Sequence, residues 1–315
     1  MDRAGQQALL LRSRPVVGAA LVLSAASLWA TFGIFAKYLY QAGLEPLEVA
    51  SARAGVAFAA VLLIALARRL RGVRVPLRSM PFFAAYGIAG FALFGLLFLA
   101  ALQRTTVSIA VALLYTAPAF VVLMSVVLWR ERFGRLRMIS LGLALTGVML
   151  VTGAAQAVLR GTAALPFPAL LFGLGSGLGY ALYTLFSKVA SERYGPVASV
   201  FWSFAFAAAS LGILASPVTP FLRAPDQAVL LIGLGIVPTL LPYALYITAL
   251  KHLRASTAAM LASIEPGIAA LLAAVLLGER LEALQMIGMG LVVCAAVLLA
   301  RQASTTDQRI VSPST

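Results

Sequence analysis

The chain has 315 residues, 62% of them hydrophobic and only 11% charged, with a formal net charge of +14. Soluble domains run at about 45–50% apolar and about 25% charged, so a water-soluble globular enzyme is excluded and an integral membrane protein is expected. A helix needs about 20 apolar residues to cross a ~30 Å hydrocarbon core, so this length holds about ten crossings with short loops and no separate extramembrane domain.

In chain order, residues 1–15 read as a polar tail. The apolar run after Arg12, Ser13 and Arg14 resembles a secretion signal, but nine further runs make an uncleaved first span the better reading. Runs bounded by charges, Pro or Gly predict ten transmembrane helices over about 16–37, 46–67, 80–102, 106–129, 136–154, 168–187, 197–215, 227–250, 256–277 and 283–300. Residues 155–167 form a connecting loop and 301–315 a second polar tail.

Lys and Arg orient these spans. One face collects 18, among them Arg68, Arg69, Arg71, Arg74 and Arg78; the other has five, with Arg53 left inside the second span. That imbalance places both termini in the cytoplasm. The net charge is thus an orientation signal, and no nucleic-acid partner is expected. One cysteine, Cys294, and one histidine, His252, leave no disulfide framework and no metal site. No phosphate-binding G-x-x-x-x-G-K-[ST] motif occurs, and no cofactor is implied. The absence of Asn rules out N-glycosylation, and 21 Arg against 3 Lys suggests a GC-rich, bacterial genome.

The sequence repeats internally. Residues 100–151 align with 248–299 at an offset of 148 with 17 identities in 52 positions, including Pro118/Pro266, Glu131/Glu279, Arg132/Arg280, Met138/Met286 and Gly142/Gly290. An offset of 151 aligns Trp29–Lys37 with Tyr180–Lys188. Two five-span halves follow, 16–154 and 168–300. An odd number of spans per half forces the second to insert upside down, the plan of many secondary transporters whose substrate site lies near the midplane between halves.

The runs Leu261-Ala262-Ser263-Ile264-Glu265-Pro266, Leu276-Leu277-Gly278-Glu279-Arg280-Leu281 and Gln285-Met286-Ile287-Gly288 resemble the repeat signature of the EamA-type drug/metabolite transporter superfamily. Tyr115-Thr116-Ala117-Pro118 with Glu131-Arg132 is a degenerate first copy. The resemblance implies ten helices in two inverted five-helix repeats, cytoplasmic termini, and spans 1, 3, 4, 6, 8 and 9 lining the path. Among family branches the chain is most similar to bacterial aromatic amino acid exporters.

Several residues are candidates for the path. Glu265 lies about 15 Å into its span, where an ionisable group costs about 2.5 kcal/mol or more and is usually turned inward. It reads either as a proton-coupling or cation-recognising carboxylate, or as a structural acid beside Pro266. Pro118 and Pro266 are expected to kink spans 4 and 9 at matching points, as are Pro238 and Pro242 in span 8. Trp29 and Phe32 match Tyr180 and Tyr183 in the repeat. Thr239, Tyr243 and Tyr246 form one face of span 8, matched by Phe91, Gly95 and Phe98 in span 3, and Tyr115 precedes Pro118. Such a ring would hold an aromatic or amphipathic solute, though core packing explains each residue singly. Arg53 is expected to pair with Glu48 at the outer edge, or alternatively to recognise a substrate carboxylate. Lys37 and Lys188 read as helix-end anchors, and Glu131/Arg132 with Glu279/Arg280 as turn chemistry. Gly173, Gly175, Gly177 and Gly179 are expected to allow close helix approach within the fold.

These residues lead to an inner-membrane secondary transporter, monomeric among membrane lipids, exporting aromatic or large neutral amino acids by alternating access through a central cavity. Protons are a possible coupling partner. Export of hydrophobic organic cations is the alternative, and a structural or lipid-moving protein the reading from another class.

Overall fold

The computed structural model describes residues 3–130, 133–162, 166–277 and 281–311. Glu131, Arg132, Glu279 and Arg280 therefore lie outside the described residues. All regular structure among the described residues is helical. Seven stretches are long and apolar enough to cross a membrane: Pro15–Gln41, Pro46–Ala67, Leu77–Leu102, Ile109–Trp129, Phe167–Leu214, Pro225–Ala249 and Ala255–Leu276. A shorter apolar helix is the Ala283–Leu299 part of α16 (Ala283–Val311), and α8 (Arg135–Val151) has 17 residues.

The first expected span is two helices, α1 (Arg3–Trp29) and α2 (Phe32–Gln41). The chain comes apart directly after Trp29, where the Thr31 hydroxyl donates to the Leu28 carbonyl at 2.7 Å. Helix α3 (Pro46–Ala67) opens with Pro46 in its first turn and with the Glu48 carboxylate accepting the Glu45 N–H at 3.0 Å, a reciprocal cap. Span 3 is α4 (Met80–Gly87) and α5 (Phe94–Leu102), joined by a π-helical segment at Ile88–Leu93. Span 4 is split into α6 (Val107–Leu114) and α7 (Ala117–Trp129). A short helix, α9 (Ala154–Leu159), occupies part of the expected connecting loop.

Spans 6 and 7 run on as α10 (Phe167–Leu214), 48 residues that at 1.5 Å each extend about 72 Å, more than twice the hydrocarbon thickness. They part at Gly195, whose φ of 85° and ψ of 161° only glycine adopts readily, followed by Pro196. A short α11 (Thr219–Arg223) leads to span 8, which is α12 (Ala228–Gly235), a π-helical segment Ile236–Leu240, and α13 (Leu241–Ala249). Span 9 is α14 (Ala255–Ala262) and α15 (Glu265–Leu277). The ends of α1 and α16 carry helix into both polar tails.

The helix boundaries themselves repeat. Ile88 and Ile236 open the π segments, Leu114 and Ala262 end the first pieces of spans 4 and 9, and Ala117 and Glu265 open the second; each pair is separated by 148 positions. Pro118 and Pro266 were expected to kink helices from within. Instead each sits second in its new helix, where an N–H has no partner inside the helix to lose, so each starts a helix after an unwound residue pair. Pro242 likewise sits in the first turn of α13, and Pro238 lies inside the π segment.

Small residues set the closest approaches. A methyl group on Gly177 would lie 2.6 Å from the Thr116 hydroxyl, and one on Gly179 or Gly173 would strike Phe94 or Leu113, so the glycine stripe lays α10 against α5 and α6. Helices α8 and α16 meet backbone to backbone: a Cβ on Gly147 would lie 2.8 Å from the Gly288 carbonyl oxygen, and one on Gly288 would lie 2.7 Å from the Gly147 oxygen. Gln285 Nε2 donates to the Val151 carbonyl at 3.2 Å, while Gly147 faces Gly288 and Val292. Higher numbers on one helix thus meet lower numbers on the other, and these repeat-matched helices run antiparallel.

Candidate functional site

Rings from both halves meet in one cluster. Trp29, placed by the end of α1, presents its edge to Tyr243 at 5.3 Å and to Tyr180 at 6.4 Å, and lies 5.4 Å from Tyr246. Tyr183 is the hub of the other side, stacked on Tyr180 at 5.9 Å and Tyr246 at 6.0 Å, and 5.0 Å edge-on from Tyr243. Phe91, held in the π segment of span 3, reaches Tyr243 at 5.0 Å. Trp29 is 8% exposed, Tyr183 1% and Tyr246 not at all, whereas Tyr180 is half-buried. Offset and edge-to-face pairs of this kind gain about 0.5–1.5 kcal/mol each beyond burial.

The hydroxyls decide what the cluster can do. Tyr246 meets the Thr184 hydroxyl at 3.2 Å, and Tyr86 meets Ser187 at 2.6 Å one layer away. Among the described residues the Tyr183 hydroxyl is buried without a hydrogen-bond partner, a polar atom left over in the middle of the rings.

One charge borders this cluster, and a second stands at a helix break of the other half. Arg53, in the middle of α3, has its guanidinium carbon 5.1 Å from the Phe32 ring centre and 5.3 Å from that of Phe91. Glu265 opens α15 and is half-buried, at the repeat position that Ala117 holds after Tyr115 and Thr116, the unwound pair between α6 and α7. Among the described residues neither Arg53 nor Glu265 has an ion-pair partner within 4 Å.

Several expected positions are revised. Glu48 pairs with Arg223 at 2.7 Å, not with Arg53, because it sits in the first turn of α3 while Arg53 lies five residues, about 1.4 turns, further along the helix. Thr239 is buried, but its hydroxyl donates to the Leu234 carbonyl at 2.7 Å, inside the π segment, and is occupied by the backbone it loosens. Phe98 is half-buried and makes none of the ring contacts of the cluster. Span 3 instead supplies Phe94, stacked on Tyr180 at 5.9 Å. Span 7, expected outside the path, supplies Phe204, 5.2 Å from Phe91 and 5.5 Å from Tyr243. Phe94 was findable as the residue three after Phe91 on the same helix face; Phe204 had no comparable signal among so many apolar residues. Lys188 anchors a helix end as expected: its Nζ donates to the Leu250 and Leu253 carbonyls at 2.6 and 2.8 Å, with Glu192 at 2.8 Å. Among the described residues no three His, Cys, Asp or Glu side chains gather as a metal site.

The chain matches a family model twice, over residues 16–153 and 167–301, described as the EamA-like transporter family. The chain belongs to this family. An uncharacterized transporter of Archaeoglobus fulgidus is 34% identical over 286 residues, covering 90% of this chain and 95% of that one. The threonine/homoserine exporter RhtA of Escherichia coli K12 is 28% identical over 201 residues, 64% of this chain and 65% of the exporter. A solved crystal structure superimposes with a TM-score of 0.72 over 94% of this chain and 99% of its own, at 20% identity. This EamA-family chain is a membrane transporter of the drug/metabolite type, and it is not an enzyme.

Proposed function

We propose that this EamA-family transporter exports aromatic or large neutral amino acids from the cytoplasm by alternating access, with the ring cluster as the substrate site. The observation that carries this is the convergence of Trp29 from one half with Tyr180, Tyr183, Tyr243 and Tyr246 from the other. A solute held there touches both halves at once, which couples its presence to their relative motion. The proposed site is Trp29, Phe32, Phe91, Phe94, Tyr115, Tyr180, Tyr183, Phe204, Tyr243, Tyr246 and Glu265, with the breaks before Pro118 and Pro266 as flexing points. The name of RhtA, an amino-acid exporter, supports the cargo class.

The proposed arrangement is ten spans in two inverted halves, 16–154 and 168–300, with both termini in the cytoplasm of an inner membrane. The antiparallel packing of the repeat-matched α8 and α16 supports inversion, and the length of α10 with its break at Gly195 supports two crossings there.

The test is time-dependent uptake of labelled phenylalanine into liposomes containing the purified protein, against protein-free liposomes. Saturable uptake blocked by unlabelled neutral amino acids is expected. Absence of uptake in either direction of a pH gradient overturns the reading; uptake of a hydrophobic organic cation in its place would establish the alternative cargo.

A further inference from the structure

We infer that the loop between the second and third spans, residues 68–76, is a binding site for the phosphate headgroup of an anionic phospholipid, with Arg68, Arg69 and Arg71 as its donors. The site is separate from the ring cluster and does not depend on which cargo the protein moves.

The charge here is concentrated and unanswered. Arg68, Arg69, Arg71, Arg74 and Arg78 fall between residues 68 and 78, all of them exposed, and the sequence has no Asp or Glu between Glu48 and Glu131. Among the described residues none of these arginines makes an ion pair within 4 Å. Gly72 packs on Val197 just beyond the turn between spans 6 and 7, but the acid of that turn, Glu192, is already held by Lys188 at 2.8 Å. The flanking stretches Pro46–Ala67 and Leu77–Leu102 are each long and apolar enough to cross a membrane, so the loop that joins them stands at the bilayer surface. Basic groups clustered directly beside a span attract anionic lipid there.

The loop also has a fixed shape, which a solvated run of charges lacks. A recess of about 510 Å³ opens in it, lined by Ala67, Arg68, Arg69 and Arg71. Had α3 run on, Arg68 and Arg69 would point about 100° apart. Instead Arg69 and Leu70 both take the left-handed conformation, at φ 53° and 55°, which glycine usually fills at a helix end. Such strain persists only where the surroundings over-determine it, and here they do. The Arg69 N–H donates to the Leu66 carbonyl at 2.8 Å and the Leu70 N–H to that of Ala65 at 2.7 Å, while Trp202 Nε1 holds the carbonyl of buried Val73 at 2.9 Å. A backbone pinned on both sides thus gathers three arginines around one recess. Planar guanidinium groups match phosphate oxygens with paired N–H donors. Leu63, Ile64 and Leu66 are exposed on the last turns of α3, directly before the recess, and offer apolar surface to acyl chains. Apolar surface beside a basic recess suits a lipid better than a free phosphate.

The experiment measures binding of phosphatidylglycerol and phosphatidylcholine with the same acyl chains to the purified protein in neutral detergent, by native mass spectrometry, with the thermal midpoint as a second readout. An arginine beside an anionic surface contributes about fivefold in affinity, so three are expected to favour phosphatidylglycerol by about tenfold or more at low salt, and less as salt rises. R68Q/R69Q/R71Q is expected to lose this preference, and R68K/R69K/R71K, which keeps the charges, to retain part of it. R135Q/K251Q/R254Q removes the same charge from exposed positions elsewhere and is expected to leave the preference as it is. Equal binding of the two lipids by the unaltered protein overturns the proposal, as does a preference that survives in R68Q/R69Q/R71Q or falls as far in R135Q/K251Q/R254Q. Inorganic phosphate and glycerol 3-phosphate serve as soluble competitors: failure to displace phosphatidylglycerol supports the lipid, and displacement by either at equal concentration overturns it in favour of a soluble phosphate. Should R68Q/R69Q/R71Q fail to fold, the two lipids and the two competitors on the unaltered protein decide.

Discussion

Tyr115 and Glu265 stand at the two helix breaks that the internal repeat places in register, Tyr115 just after α6 and Glu265 at the start of α15. Each break frees backbone groups deep in the protein, and each is followed by a proline in the first turn of the next helix. The two halves are therefore least regular at matching points.

Trp29 supplies the only rings of the first span that touch Tyr180, Tyr243 and Tyr246 among the described residues. Trp29→Ala and Tyr246→Ala are expected to lower the preference for phenylalanine over alanine in competition assays, since losing ring contacts worth about 0.5–1.5 kcal/mol apiece penalises the larger ligand selectively. A preference unchanged in both variants would remove these residues from the site.

Gly147→Val forces a side chain into the Gly288 carbonyl and Val292, whereas Gly142→Ala and Gly290→Ala meet nothing within 4 Å. The first is expected to cost about 1–3 kcal/mol, as overpacking does, and to lower the thermal midpoint in detergent; the other two are expected to leave it within error. Equal midpoints for all three would contradict the backbone-to-backbone approach of α8 and α16.

Lys188→Met leaves the carbonyls of Leu250 and Leu253 without their donor while keeping the length of the stem. An unsatisfied buried acceptor costs about 1–3 kcal/mol, so the thermal midpoint should drop by several degrees with ligand preference unaltered. A change in preference without loss of stability would move Lys188 from anchor to path.

Much of this was legible in the sequence because it depends on local spacing. The 148-residue offset located the breaks before Pro118 and Pro266, and the i, i+3 pairs Trp29/Phe32 and Tyr180/Tyr183 pointed to the ring cluster. What the sequence hid depends on which way a helix is turned. Gly142 and Gly290 match in the repeat yet face open space, while Gly147 and Gly288, which do not match each other, make the contact. Arg53 and Glu48 are five residues apart and invite pairing on one helix, but five steps carry the side chains onto different faces, and Glu48 finds Arg223 instead. Phe32 was placed with Trp29 as a ring neighbour, but the break at residues 30–31 turns it beneath Arg53. Phe204 lies in a run where nearly every residue is apolar, so no periodicity singles it out.

The two π segments bear on how this chain can vary. Each holds one residue more than the same length of α-helix would need, and one residue turns a helix by about 100°. Tyr243 and Tyr246 follow Ile236–Leu240, and Phe94 follows Ile88–Leu93, so the surplus is taken up before these rings and they keep their direction toward Trp29 and Tyr180. Deleting a single residue from either segment would let it close as regular α-helix with the aromatic face in phase, whereas the same deletion in the α-helical parts of these spans would turn that face by about 100°. Insertions and deletions are usually absorbed in loops; in this protein two places able to absorb a single residue lie inside helices.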